Sequence, residues 1–557
     1  MSTLPVDTLR PETAASETQL RPPFWTAWQK ILFRIAFVFF VSLALPNDPG
    51  WYKDLFSFDW TRLHYRDLYD IARFGSGLNI FGNKIFGSSL NGYATWVITL
   101  IFAIGVGLVW TFIDSRRKPQ PREYNRLYYW LRVVVRYRAG IGIIGFGYTK
   151  LFPTQLPYPS LGVLNTDFGD LTLQKIYWLS IGIVPWYEVF AGVVEVLAGA
   201  LLFFRATTFW GSVLLFGALA DIVFVNFEYD GGVHVYSSYF VLLSGFLLIY
   251  DIPKVYNLLV REQLTIPVHY YPSFHKPWQQ WSRVFLKTGV IGVFVVWFFY
   301  LQGVNFLYDP YKQPALKGVS ELRGNYNVTE FKINNQVIPY SPLDSVRWQQ
   351  ATFENWTTLT FKVNRPVDLD LSNGGGSPMR DINRTFELTG VAGGQRVFYY
   401  EADTLHQVLY LQDKNRGRQN RETREIEGKA ARTEAKAKPV VASWIPKEAL
   451  AIIGSEDEKI HPLARSTRRT RGMISEAENP GGESSQVVGW DRSNNGTVKA
   501  PTPLRNRMIL NYQAINGGNR VILSGINENR DSIHVVLDRV PRKYALSEST
   551  LKAGKYD

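Results

Sequence analysis

The chain has 557 residues, a formal net charge of +13 and no cysteine. Without cysteine it holds no disulfide, no Fe–S cluster, no thiolate metal site and no thiol redox chemistry of its own. A mean hydropathy near zero averages two unlike halves: apolar runs dominate up to about Val304, and alternating strands with a charge-rich stretch follow.

The first 27 residues form a polar tail without a cleavable signal, so the first apolar run reads as an anchor. Runs long enough to span a bilayer, which needs roughly 20 apolar helical residues, are predicted at Trp28–Leu45, Ala94–Ile113, Leu127–Gly147, Trp186–Phe204, Thr207–Asn226, Val235–Tyr250 and Val284–Val304. Arg34, Arg132, Arg136, Arg138 and Lys287 interrupt three of them near one common side, where long basic side chains snorkel. Arg10, Arg21, Lys30, the loop DSRRKPQPREYNR, Arg205, Lys254, Arg261, Lys276 and Arg283 all fall on that side. By the positive-inside rule it is cytoplasmic, which places the C-terminal half outside. The expected location is a bacterial cytoplasmic (inner) membrane, with the β domain in the periplasm. The charge thus reads as loop bias plus a charged insert, and no nucleic-acid surface is expected.

The stretch AGIGIIGFGYTK, Ala139–Lys150, has the Gly140-x-Gly142-x-x-Gly145 spacing of a dinucleotide loop, with Asp167 about twenty positions on. A Rossmann loop follows a strand and opens a helix within repeated strand–helix units. This one continues RVVVRYR inside an apolar run, so the glycines read as helix packing.

Beyond them, Pro185 suits a first helical turn. It puts Glu188 near the outer interface and Glu195 close to mid-membrane, nearly two turns apart on one face with Gly192 and Gly199. A carboxylate at the bilayer centre costs at least about 2.5 kcal/mol, so Glu195 must be protonated or paired. Lys150, Asp221, Asn226, Glu228, Asp230 and His234 are the partners available at the outer ends of neighbouring spans; all of these but Glu228 are taken with the two glutamates. Together these seven form a candidate intramembrane polar site. One reading is a proton relay or a headgroup, quinone or ion site, with His234 able to titrate near neutral pH. The other is a hydrogen-bonded network that fixes helix packing. The remaining histidines have no companions at ligand spacing, and no metal site is expected.

The segments YTKLFPTQLPYPSLGVLNTDFGDLTLQ, VPWYEVFAGVVEVLAGALLFFRATTFWG and LADIVFVNFEYDGGVHVYSSYFVLLSGFLLIYDIPKV resemble the DoxX-like membrane protein family over about residues 138–259. The similarity lies in the Lys-Leu-Phe-Pro helix exit, the Pro-x-Tyr-Glu helix start, the Glu-Val-Leu-Ala-Gly continuation and the Asn-Phe-x-Tyr-Asp loop. It implies a four-helix membrane core. Some members are linked to quinone-dependent sulfur oxidation or thiol redox partners, and many have no assigned activity. Asp221 stands where the family more often has an amide.

The second half shows period-two alternation in LRGNYNVTEFKIN, TLTFKVNRPVDLDLS, RTFELTG, RVFYYEAD, VLYLQD, RMILNYQAIN, NRVILSGI and DSIHVVLDRV. This predicts an antiparallel barrel or sandwich. Leu322-Arg323-Gly324-x-Tyr326 is similar to a lipocalin-like opening strand, and Trp348, Phe353 and Phe361 are candidates for a filled interior. From Lys414 to Lys438 the chain is charged and almost without large apolar residues, so it cannot bury a core. The expected division is a tail (1–27), two spans with an outer loop (28–126), a DoxX-like core (127–262), a loop and last span (263–304), a first β part (305–413), a disordered insert (414–501) and final strands (502–557).

The fold class is thus a polytopic helical membrane bundle followed by a β domain. Three functions fit it. The first is a membrane scaffold that binds lipid, or a periplasmic or membrane protein partner. The second is the membrane subunit of a quinone-linked oxidoreductase. The third is a transporter, against which stands the absence of an obvious inverted repeat or paired broken helices.

Overall fold

The computed structural model describes residues 25–47, 49–74, 77–78, 91–116, 123–265, 270–375, 379–415, 444–466 and 505–548. The N-terminal tail with Arg10 and Arg21, His269, and segments 416–443 and 467–504 of the charged insert lie outside the described residues.

Helices occur at all seven apolar runs. In chain order the helices are α1 (Ala27–Ala44), α2 (Pro49–Ser57), α3 (Tyr65–Ala72), α4 (Asn91–Ser115), α5 (Asn125–Leu151), α6 (Leu161–Leu164), α7 (Leu173–Gly182), α8 (Pro185–Leu202), α9 (Thr208–Glu228), α10 (His234–Ile249), α11 (Ile252–Leu259), α12 (Pro277–Ile291) and α13 (Phe298–Tyr308). Thr26 and Gln29 close a reciprocal capping box at the start of α1. Pro185 opens α8 as expected. A π-helical turn, Gly292–Trp297, joins α12 to α13, and its Val295 carbonyl accepts from the Tyr148 hydroxyl at 2.7 Å.

Among the described residues, five helices are long and apolar enough to cross a membrane, and the α10–α11 pair, bent by 62°, makes a sixth if it is one span. The third predicted run, Leu127–Gly147 in α5, is not among them; Arg132, Arg136 and Arg138 lie within it. Helices α5, α8, α9 and α10 pack in a ring of four neighbours. Helix α1 lies against α4 and α5, and α3 with α13 covers the opposite flank of α5.

The glycines of α5 and α8 bring these two helices into backbone contact. A Cβ on Gly192 would stand 2.2 Å from the Leu151 nitrogen, and one on Gly140 3.0 Å from the Gly199 carbonyl. Of the dinucleotide-like glycines Gly140 lies on this seam, while Gly142 faces Phe240 of α10 and Gly145 faces Phe298 of α13, so the spacing serves helix packing on three sides of α5.

The C-terminal half is an antiparallel β-barrel. Its strands are β1 (Gly324–Ile333), β2 (Gln336–Val337), β3 (Gln350–Phe353), β4 (Thr358–Lys362), β5 (Gln395–Asp403), β6 (Val408–Asp413), β7 (Arg507–Ile515), β8 (Arg520–Ile526) and β9 (Ser532–Val540). Eight of them run β1-β3-β4-β5-β6-β7-β8-β9 and close through β1 on β9, while β2 is a two-residue flap on β1. A bulge at Thr329 lets β1 bend into both neighbours. Trp348, Phe353 and Phe361 are buried in the barrel interior, Trp348 stacked on Phe361 at 3.8 Å. Side chains fill that interior, with Phe331, Phe398 and Tyr400 among them.

Three expectations change. Of TLTFKVNRPVDLDLS only Thr358–Lys362 is a strand, and the chain from 363 to 372 is irregular. RTFELTG is a turn segment, not a strand, and it faces the helices: Phe386 stacks on Trp178 of α7 at 5.7 Å. The insert begins later than expected and is interrupted. Lys414 is buried against Glu387 at 2.6 Å, and residues 444–466 pack on the molecule through Trp444 and the short helix Lys447–Ile453 against Tyr410. Their apolar side chains give this island a buried face.

Candidate functional site

Between α5 and α8 the chain leaves the bundle as a lobe, residues 152–184, that carries α6 and α7 and grips the barrel. Glu354, just after β3, accepts from the Leu161 and Gly162 amides at 3.0 and 2.7 Å, holding the start of α6. Asn165 bonds Asn325, and its side-chain carbonyl accepts from Arg542 and Tyr544. The Thr172 amide donates to the Gly390 carbonyl at 3.0 Å.

The linker after α13 is held as firmly. The fully buried Arg384 pairs with Asp309 at 2.6 Å and Asp381 at 3.2 Å. Asp381 in turn accepts from the Ala315 and Leu316 amides. His461 stacks on Tyr308 at 3.9 Å.

The expected polar site lies directly beneath this joint. Glu195, buried on α8, forms an ion pair with Lys150 at the end of α5. Seven positions earlier, Glu188 takes the Gln155 and Leu156 amides of the lobe at 3.2 and 3.0 Å through one oxygen. The second oxygen of each carboxylate is buried without a hydrogen-bond partner among the described residues.

Above Glu188 come two lysines that periodicity does not reveal. Lys312 is buried over the faces of Trp178 (4.4 Å) and Phe386 (5.3 Å), and Glu188 is the carboxylate acting on it. Lys175 on α7 is fully buried and donates to the Phe386 carbonyl. Burial pushes both ammonium groups down to about 7; Lys312 adds to the effect on Lys175, while Glu387 and Asp370 oppose it. Burial likewise pushes Glu354 up to about 7, against the α6 amides. Charged groups thus follow one another from mid-bundle to barrel: Glu195, Lys150, Glu188, Lys312, Lys175, Glu387 and Lys414.

The other predicted site residues are not part of this run. Asn226 is buried but turns its amide back to the Ile222 carbonyl at 2.7 Å, one turn earlier in its own helix. His234 is buried between Phe227 (4.6 Å) and Tyr93 of α4 (5.8 Å). Asp221 and Asp230 are exposed, and Asp230 sits in a left-handed turn with φ 51°. The single seven-residue cluster therefore divides. Depth along a helix placed all these residues near one level, but the rotation of α9 carries Asp221 outward.

Comparison with known proteins adds a relative but no activity. A segment of 111 residues, 18% of this chain, is 30% identical to the "Uncharacterized protein YwoB" of Bacillus subtilis (strain 168) and covers 72% of it. The chain belongs to the YwoB family. The shared segment accounts for less than a fifth of this chain, so most of the chain lies outside it. No family model matches the chain, and no solved structure matches it.

Proposed function

We propose that this is a polytopic protein of a bacterial cytoplasmic membrane, of the DoxX-like kind, with its N-terminus inside and its barrel in the periplasm. In this reading the helices are a scaffold that binds membrane lipid or a membrane partner, and the barrel presents a surface to a periplasmic component. One observation carries it. Barrel and bundle share a buried polar joint, built on Glu354, Arg384 and Lys175, that holds the barrel in a fixed orientation rather than on a tether.

The natural lack of cysteine makes the test direct. A single cysteine at Asn373, on an exposed barrel turn, is expected to react with a membrane-impermeant maleimide on intact cells. One at Ser115, at the end of α4, is expected to react only after permeabilisation. The reverse pattern would place the barrel inside and sink the proposal.

A second reading, a quinone-linked oxidoreductase subunit, is favoured by the unpartnered oxygens of Glu188 and Glu195 beside ammonium groups, a setting in which a carboxylate can exchange protons with a bound ligand. Native mass spectrometry with quinone extraction decides between the two. A stoichiometric quinone lost in Glu195→Gln supports the enzyme, and phospholipid retained without quinone supports the scaffold.

A further inference from the structure

At the opposite end of the bundle from the barrel lies a groove of about 1460 Å³ between α1, α5, α9 and α10. Its walls are apolar, formed by Leu32 and Phe40 of α1, Phe216 of α9 and Phe246 of α10, and its edges open outward at Trp28 and Ile249, exposed by 61% and 63%. Its mouth is cationic. Arg132, Arg136, Arg205 and Lys254 line it against a single carboxylate among the described residues, Asp251. Asp251 is itself shared between Lys254 at 3.0 Å and Arg132 at 3.5 Å.

The arginines are held in place yet incompletely bonded. Arg132 lies on the Tyr250 ring at 3.9 Å and Arg205 on Tyr271 at 4.3 Å. Arg136 is buried, with one terminal nitrogen on Thr208 at 3.2 Å. The Nε atoms of Arg132 and Arg136 are buried without hydrogen-bond partners among the described residues. Buried guanidinium donors beside an apolar slot call for a ligand with anionic oxygens at one end and hydrocarbon at the other.

We infer that this groove binds an anionic phospholipid of the inner leaflet, with its phosphate on Arg132, Arg136 and Arg205 and an acyl chain along α1. The dimensions agree. From Trp28 to Phe40 the helix rises about 18 Å at roughly 1.5 Å per residue, close to the depth of one leaflet of a hydrocarbon core about 30 Å thick. Basic pockets between helices on the cytoplasmic side suit such headgroups. The inference deepens the scaffold reading and rests on membrane insertion in the proposed orientation.

The test is native mass spectrometry of the full chain, delipidated and then offered equimolar phosphatidylglycerol and phosphatidylethanolamine in mixed micelles. The wild type is expected to retain phosphatidylglycerol at least fivefold over phosphatidylethanolamine. Arg205→Glu, at an exposed turn, and Arg132→Gln are each expected to bring that ratio near one. Gly245→Phe, whose side chain would enter the groove from a position where a Cβ meets only the Phe216 ring at 3.5 Å, is expected to lower retention of both lipids. Equal retention of the two lipids by the wild type, or a ratio unmoved by Arg205→Glu, overturns the inference. Carbonate extraction of membranes separates the two levels: a protein released by carbonate defeats the membrane reading itself, whereas one that stays in the membrane without lipid preference defeats only the groove's assignment.

Discussion

Glu195 and Lys150 form an ion pair with the carboxylate buried and the ammonium mostly so. A charge left alone in a buried site is costly, so removing one partner of such a pair typically destabilises by about 3–5 kcal/mol, while removing both costs far less. Lys150→Met and Glu195→Leu are each expected to lower the melting temperature in detergent sharply, and the double variant to recover most of the loss. Additive losses would show that the pair is not coupled.

Lys312 and Glu354 make the joint pH-sensitive in opposite senses. Burial holds Lys312 near 7 against an ordinary 10.5, so between those values the folded protein binds fewer protons than the unfolded chain and stability rises with pH. Glu354, raised from 4.5 to about 7, contributes stability that is complete below 4.5 and lost as pH rises through 7. Thermal melts should therefore show Lys312→Met stabilised at pH 7 with a shallower rise toward pH 10. Glu354→Gln should flatten the decline between pH 4.5 and 7. Unchanged profiles would mean that neither group titrates differently on folding.

At the scale of elements, the contact of α5 with α8 depends on glycine. The Cβ of Gly192→Ala would meet backbone at 2.2 Å, so the helices must separate, and overpacking of this kind costs about 1–3 kcal/mol. A methyl group on Gly217 of α9 would meet nothing within 4 Å, so Gly217→Ala is expected to be neutral or slightly stabilising. Melting curves of the two variants compare the positions directly. Helix positions, the α5–α8 glycine seam and the shared face of Glu188 and Glu195 were legible because each is a matter of period or run length. Strand β3 was not, since its four residues are too few to show alternation. The alternation of RTFELTG misled because a turn can also point Phe386 and Arg384 into buried sites. Lys175, Lys312 and Glu354 were invisible because the groups they meet, Phe386, Trp178 and the α6 amides, are far away in the chain.

At the scale of the molecule, what matters is that barrel and bundle fold against each other through sequence-distant contacts. Arg384 concentrates this coupling: it is fully buried, and it ties the barrel-side Asp381 to Asp309 at the end of α13. Arg384→Met keeps the bulk and removes the charge, leaving two buried carboxylates close together, one of which must then be protonated or move. The barrel's own closure through β1 and β9 does not involve Arg384, so it should survive the substitution. The expected result is a linker, residues 309–317, newly open to limited proteolysis, with the released barrel fragment resistant and the calorimetric transition split into two. A single transition and an uncut linker would show that the lobe contacts through Glu354 and Asn165 suffice to hold the two halves together.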